Sequence, residues 1–255
     1  MAPLEQHLPY ALRQFESEIV LPLTLFGWDV SVTTVTTAKF TTCLLIVAYV
    51  FFAMRERSLV PGRLQASAEM LYGFVASTVI RLTGPQGAFA VPFVFTTYLF
   101  VLIGTLLGIT PLKETFTSHL AVTLALALLV FGYVNVVAFR RQGLGFFRAF
   151  LPPGVPGFVA PVLVLVEVVS YLFRPITLGF RLFANIFAGH VVLKLFADFC
   201  AMMVDAFGPY GIAAAIGPVI VMAGLYAAEV VIVCIQSYIF ILITSMYLRD
   251  AIAGH

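Results

Sequence analysis

Long apolar runs broken by short polar stretches organise the chain, and the run lengths predict its elements. A membrane-crossing helix needs ~20 predominantly apolar residues. The first run of that kind covers about 34–54, around CLLIVAYVFFAM, and stops at Arg55, Glu56, Arg57 and Arg63. The apolar core within 66–83 is too short to cross. Met70, Leu71, Phe74, Val75 and Val79 recur there at helical spacing, with Glu69, Tyr72 and Ser77 elsewhere on the wheel. That pattern predicts a helix lying in the interface. Crossings are expected at about 88–109 and 120–139, joined by GITPLKETFTSH as an antiparallel hairpin. After the turn LPPGVPG the pattern changes. The runs 158–200 and 212–248 are each roughly twice as long as a perpendicular span. Such helices must tilt, kink or wrap around something, and Pro175 is a kink site.

The expected fold is therefore all-α. It is a polytopic membrane protein with about five crossing helices and one interfacial amphipathic helix, the last two helices long and strongly tilted. Residues 1–34 mix charges, prolines and short apolar pieces and read as an extramembrane N-terminal segment. Residues 35–255 read as one membrane domain, with a helical hairpin at about 158–248.

Composition supports this class. Only 10% of residues are charged and 62% are hydrophobic, with a mean hydropathy of +1.06. Soluble domains carry about 25% charge, so a soluble globule is excluded. A β-barrel would show ~10-residue alternating segments instead. No Lys/Arg cluster of nucleic-acid-binding size exists, and no nucleic acid partner is expected. Cys43, Cys200 and Cys234 lack CxxC spacing and read as small buried hydrophobes. No cleavable signal, metal site or cofactor site is expected.

The basic residues set an orientation. Arg55, Arg57, Arg63, Arg140, Arg141 and Arg148 fall on loops of one side, Arg13 and Lys113 on the other. The positive-inside rule puts the larger group in the cytoplasm, or in the matrix of a mitochondrion. The N-terminus is then outside and the C-terminus, LRDAIAGH, inside.

Chemistry enters at Arg181, in FRLFANIFAGH, mid-way along the apolar stretch 159–200. An arginine cannot discharge by losing its proton. Holding one at membrane depth costs from ~2.5–3.5 to ~10–17 kcal/mol, depending on how the cost is assessed. It is therefore a functional residue by default. Seven residues make nearly two helical turns, so Glu167, Arg174 and Arg181 share a drifting stripe, with Asn185 close to it. His190, nine residues past Arg181, points the opposite way. On the final helix Glu229 and Gln236 are again seven apart. An antiparallel pairing of the two long helices would bring Glu229 to His190 and Gln236 near Arg181. A carboxylate and an imidazole in a wet crevice are proton-relay groups. Structural alternatives stay open: a local Glu167–Arg174 pair, a His190–Glu229 bond that only joins helices, and a fixed acid holding Arg181.

The run RPITLGFRLFANIFAGH, preceded by Glu167 and followed by EVVIVCIQSYIFILITSMYL, resembles subunit a of the F-type ATP synthase. SHLAVTLALALLVFG and LPPGVP are similar to the same family, most of all its alphaproteobacterial and mitochondrial branch. The resemblance implies a non-catalytic, proton-translocating stator subunit in the bacterial inner membrane or the mitochondrial inner membrane. Its partners would be a ring of c subunits, the b-type peripheral stalk and the rest of the synthase complex. Arg181 would stand against the c ring, with Asn185 and Gln236 as its polar neighbours. His190 and Glu229 would belong to the outer half-channel, a pair that some bacterial members carry exchanged. Glu167 would belong to the inner one, with Arg174 where other members have lysine. Two other classes stay in view. A secondary transporter would show paired repeats, and an intramembrane protease would need a nucleophile with its base or a metal motif. Neither pattern is visible.

Overall fold

The computed structural model describes residues 19–22, 24–25, 28–29, 31–55, 58, 60–109, 119–143, 145–146 and 159–253. Six α-helices dominate it: α1 (Thr34–Arg55), α2 (Arg63–Thr83), α3 (Val91–Ile109), α4 (Leu120–Gln142), α5 (Ala160–Phe207) and α6 (Gly211–Ala253). A 3₁₀ turn, Pro85–Ala90, leads into α3. Five helices are long and apolar enough to cross a membrane, and α2 is the exception. The chain is an all-α polytopic membrane protein. Ahead of α1 lie strand pairings that hydrophobic patterning did not signal, because the strands are only two or three residues long. They are β1 (Ile19–Leu21), β2 (Thr24–Leu25), β3 (Trp28–Asp29) and β4 (Val32–Thr33). β1 pairs antiparallel with β4, and β2 with β3 inside it.

The last helix is the hub. α6 packs against α2, α3, α4 and α5. On its own α6 is apolar nearly all round, as expected of a helix with neighbours and lipid on different sides. α2 buries the stripe Val75, Thr78 and Val79, with Leu71 beside it, against Val91, Val94, Tyr98 and Leu99 of α3 and Ile241 of α6. Met70, counted with the apolar stripe from spacing, instead stands 72% exposed. The Tyr49 and Ser67 hydroxyls, 2.9 Å apart, tie α1 to α2. α3 and α4 run antiparallel, as the short link predicts, with Phe93 stacked on Tyr133 at 3.8 Å and Ala90 beside Val137. The link itself, the LPPGVPG turn and the charges at Arg13, Arg57, Lys113 and Arg148 lie outside the described residues.

α5 has 48 residues and α6 has 43. At 1.5 Å per residue they extend roughly 70 and 65 Å, against a hydrocarbon core of about 30 Å. Helices of that length fit only at a steep tilt or along a curved path. α5 remains helical through Pro175, which is buried. Proline removes the donor that the Tyr171 carbonyl would otherwise use. The two helices close through Gly208, whose φ of +54° suits glycine, and a short 3₁₀ turn at Gly208–Tyr210.

One small residue sets how closely α5 meets α4. A Cβ placed on Gly179 would lie 3.1 Å from Leu124 Cα and from the Thr123 carbonyl oxygen, both backbone atoms that cannot rotate away. Gly179→Val should therefore force α5 off α4 and lower the amount of subunit retained in membranes several-fold. Gly217→Val, where a Cβ meets nothing within 4 Å, should leave that amount near normal. Immunoblots of washed membranes measure both.

Candidate functional site

The hairpin of α5 and α6 brings the polar residues of two apolar helices into register. Near the C-terminal end of α6, Arg174 Nη1 lies 3.5 Å from Asp250 Oδ2. Further along, Asn185 Nδ2 donates to Gln236 Oε1 at 2.9 Å. Towards the α5–α6 turn, His190 Nε2 stands 4.0 Å from Glu229 Oε1, beyond hydrogen-bonding distance. These three pairings follow one antiparallel register.

Cavities flank this ladder at its two ends, and those at the turn end are walled chiefly by apolar side chains. The cavity at the other end is lined by Glu167, Tyr171 and Arg174 of α5, Tyr247 and Asp250 of α6, and Gln142 at the end of α4. At the turn end, one cavity holds Asn185, Gly189, Glu229 and Leu225, and a neighbouring one holds His190, Lys194 and Tyr226. Glu229 is 4% exposed, and neither carboxylate oxygen has a hydrogen-bond partner among the described residues. Gly189 makes that burial possible, because a Cβ there would meet Glu229 Oε1 at 2.6 Å. Burying a carboxylate without donors is costly, which makes Glu229 a candidate functional group. Tyr226 donates its hydroxyl to the Ile109 carbonyl at 2.8 Å and pins α6 to the end of α3 beside this site.

Arg181 lies between the two ends. It is roughly 21 Å along the helix from Glu167 and about 14 Å from His190, at 1.5 Å per residue. Its side chain is on the exposed side of the hairpin, and no hydrogen bond or ion pair holds it among the described residues. Phe180 and Ile176 on α5 and Ile235 on α6 are likewise uncovered. A fixed positive charge thus stands on a largely apolar face, with Thr177 and Asn185 exposed four residues to either side of it. Gln236, expected near Arg181, accepts from Asn185, four residues past that arginine, and its Nε2 is buried without a partner among the described residues.

Two of the structural alternatives can be weighed directly. Glu167 and Arg174 line one cavity, but Arg174 pairs with Asp250 rather than with Glu167. No acid of the described residues holds Arg181. Sequence reasoning missed Asp250, Tyr171, Asn135 and Gln142. For Asp250 the signal was present: it continues the seven-residue stripe of Glu229 and Gln236, two intervals past the glutamine. Read as part of a polar tail, LRDAIAGH hid it.

Comparison with known proteins shows the family of the chain. The family model described as "ATP synthase A chain" matches residues 36–249. ATP synthase subunit a of Gluconacetobacter diazotrophicus is 45% identical over 82% of this chain and 84% of its own length. That of Acidiphilium cryptum is 42% identical over 96% of this chain and 97% of its own. ATP synthase subunit a 1 of Brucella anthropi is 40% identical over 96% and 98%. The chain belongs to the ATP synthase A chain family.

Proposed function

We propose that this chain is the proton-translocating stator subunit of an F-type ATP synthase, with Arg181 as the charge past which the rotor carboxylates move. The observation that carries this reading is the exposed guanidinium on an apolar hairpin face, held by no acid of the described residues. A ring of c subunits bearing one acid each is the partner of fitting chemistry. An ionised carboxylate crossing that face meets a compensating charge, whereas in lipid the same group is stable only when protonated. Arginine favours the ionised form by opposite charge. It also separates the two polar ends, so that a proton has to ride the rotor rather than leak past it.

The remaining residues then take roles by position. His190 and Glu229, with Asn185 near them, form the outer half-channel. Asn185 and Gln236 order the polar surface beside Arg181 without neutralising it. Glu167 is the acid of the inner half-channel, with Arg174 at its side. The membrane is the bacterial inner membrane, with a mitochondrial inner membrane as the equivalent setting. Residues 1–34 lie outside, residues 35–255 form the membrane domain, and the C-terminus is cytoplasmic. Arg141 supports this sidedness: it sits over the Phe89 ring at 5.3 Å, while Gln142 next to it binds the end of α6. The chain itself makes no ATP. The c ring, the b-type peripheral stalk and the rest of the complex complete the machine. Each charge crossing the membrane releases about 2.3 kcal/mol per 100 mV, so one ATP needs several protons.

Arg181→Ala should abolish ATP-driven proton pumping in inverted vesicles while the detached catalytic head still hydrolyses ATP. Pumping that persists in an assembled Arg181→Ala complex would count decisively against the assignment. Glu229→Gln should keep assembly but slow proton conduction by roughly tenfold or more, the scale of a lost proton-transfer group. Passive proton flux through head-stripped membranes measures it, and a normal flux would remove the relay role of Glu229.

A further inference from the structure

The cavity at the cytoplasmic end contains one more arrangement that the roles above leave unused. Arg174 lies between two aromatic rings, its guanidinium carbon 5.2 Å from the centroid of Tyr171 on its own helix and 5.2 Å from that of Tyr247 on α6. Tyr171 is itself fixed, since its hydroxyl donates to Asn135 Oδ1 of α4 at 2.7 Å. The Asn135 amide is oriented in turn by donating to the Phe131 carbonyl at 2.8 Å. Gln142 Nε2 donates to the Ala251 carbonyl at 2.7 Å, pinning the turn of α6 that carries Asp250. Contacts from three helices therefore converge on the direction in which one cation points.

Stability does not explain that convergence. The Arg174–Asp250 contact is single-pronged at 3.5 Å, with the side chains 28% and 43% exposed. Ion pairs of that kind add little to folding. The arrangement instead controls which carboxylate the guanidinium serves. Glu167 lines the same cavity, seven residues back on the same helix. A guanidinium turned towards it would pair with the Glu167 carboxylate and compete with proton exchange there. Two ring faces suit the flat, delocalised guanidinium better than the compact ammonium of lysine.

We infer that Arg174 is a positioning residue, clamped between Tyr171 and Tyr247 onto Asp250 so that Glu167 stays un-neutralised and able to exchange protons with the cytoplasm. This rests on the stator reading given above. The groups facing the cavity are Glu167, Tyr171 and Arg174 from α5 and Tyr247 and Asp250 from α6. Among the described residues, α4 and the turn after it contribute only uncharged side chains.

The test is the pH profile of ATP-driven pumping by the whole complex in inverted vesicles, whose medium bathes the cytoplasmic face. Asp250→Asn frees the guanidinium to turn to Glu167 and pair with its carboxylate in competition with an arriving proton. The alkaline limb of the profile should move towards acid by about one pH unit, with pumping at the alkaline end reduced several-fold. Adding Arg174→Gln to Asp250→Asn removes the captor and should return the limb to its original position. A purely structural role predicts no such recovery. Tyr247→Leu loosens the clamp by an independent route, keeps the inference testable if Asp250→Asn does not assemble, and should shift the limb in the same direction. An unmoved limb in assembled Asp250→Asn or Tyr247→Leu complexes, or a double variant no better than Asp250→Asn alone, overturns the inference. Arg181→Ala run in parallel separates the two levels. Loss of pumping there with an unmoved limb here sinks only the positioning role, while retained pumping there sinks the stator reading.

Discussion

A guanidinium keeps its proton at any pH a cell reaches, so Arg181 is a charge that cannot be switched off. Placed on an apolar helix face, it must meet an anion, water or a passing counter-charge, and the rest of the hairpin is arranged around that requirement. Its polar neighbours, Asn185 and Gln236, are joined to each other across the helices and neither carries a charge. The Arg174–Asp250 ion pair and the contact of His190 with Glu229 lie towards the two ends of the hairpin, away from Arg181. Amide side chains orient a cation while leaving its field intact, whereas an acid there would cancel it.

Keeping that charge in place demands a rigid mount, and the packing supplies one without a soluble domain. α6 touches four other helices, and its buried positions include Val233, Phe240, Ile241 and Leu248. Phe240 packs with Leu178 and Leu182 of α5, on either side of Arg181, and with Ala127 and Val130 of α4. Because lipid is as apolar as these side chains, burial itself drives little helix association in a membrane. Close approach through small residues and interhelical hydrogen bonds must contribute more, as at Gly179, Tyr226 and Gln142.

Much of this was legible from run lengths and spacing. The 3.6-residue period predicts which of Glu167, Arg174, Arg181 and Asn185 share a stripe, and the antiparallel hairpin then pairs His190 with Glu229. Asn185 with Gln236 could not be chosen over Arg181 with Gln236, since both acceptable donors sit within one turn of each other and only side-chain geometry decides. Asp250 escaped because charge near a chain end normally reads as solvated. Tyr171 escaped because an aromatic in an apolar run normally reads as core. Met70 was misplaced for the opposite reason: its spacing fits the stripe of α2, but α3 and α6 cover only an arc around Val75 and Val79.

The two stripes explain why both helices repeat polar residues every seven positions. Seven residues fall short of two full turns by about 20°, so a polar stripe at that interval winds slowly round its helix. On α5 the stripe passes from the cavity of Glu167 and Arg174 to the exposed side at Arg181. On α6 it passes from buried Glu229 and Gln236 to half-exposed Asp250. The stripes meet where Arg174 faces Asp250 and where Asn185, beside the α5 stripe, bonds Gln236. At the level of Arg181 the register set by Arg174–Asp250 and Asn185–Gln236 brings the apolar run Ile241, Leu242 and Ile243, with no acid among them. The drift turns the central arginine outward, so the same helical geometry that pairs Arg174 with Asp250 leaves Arg181 on the exposed side of the hairpin.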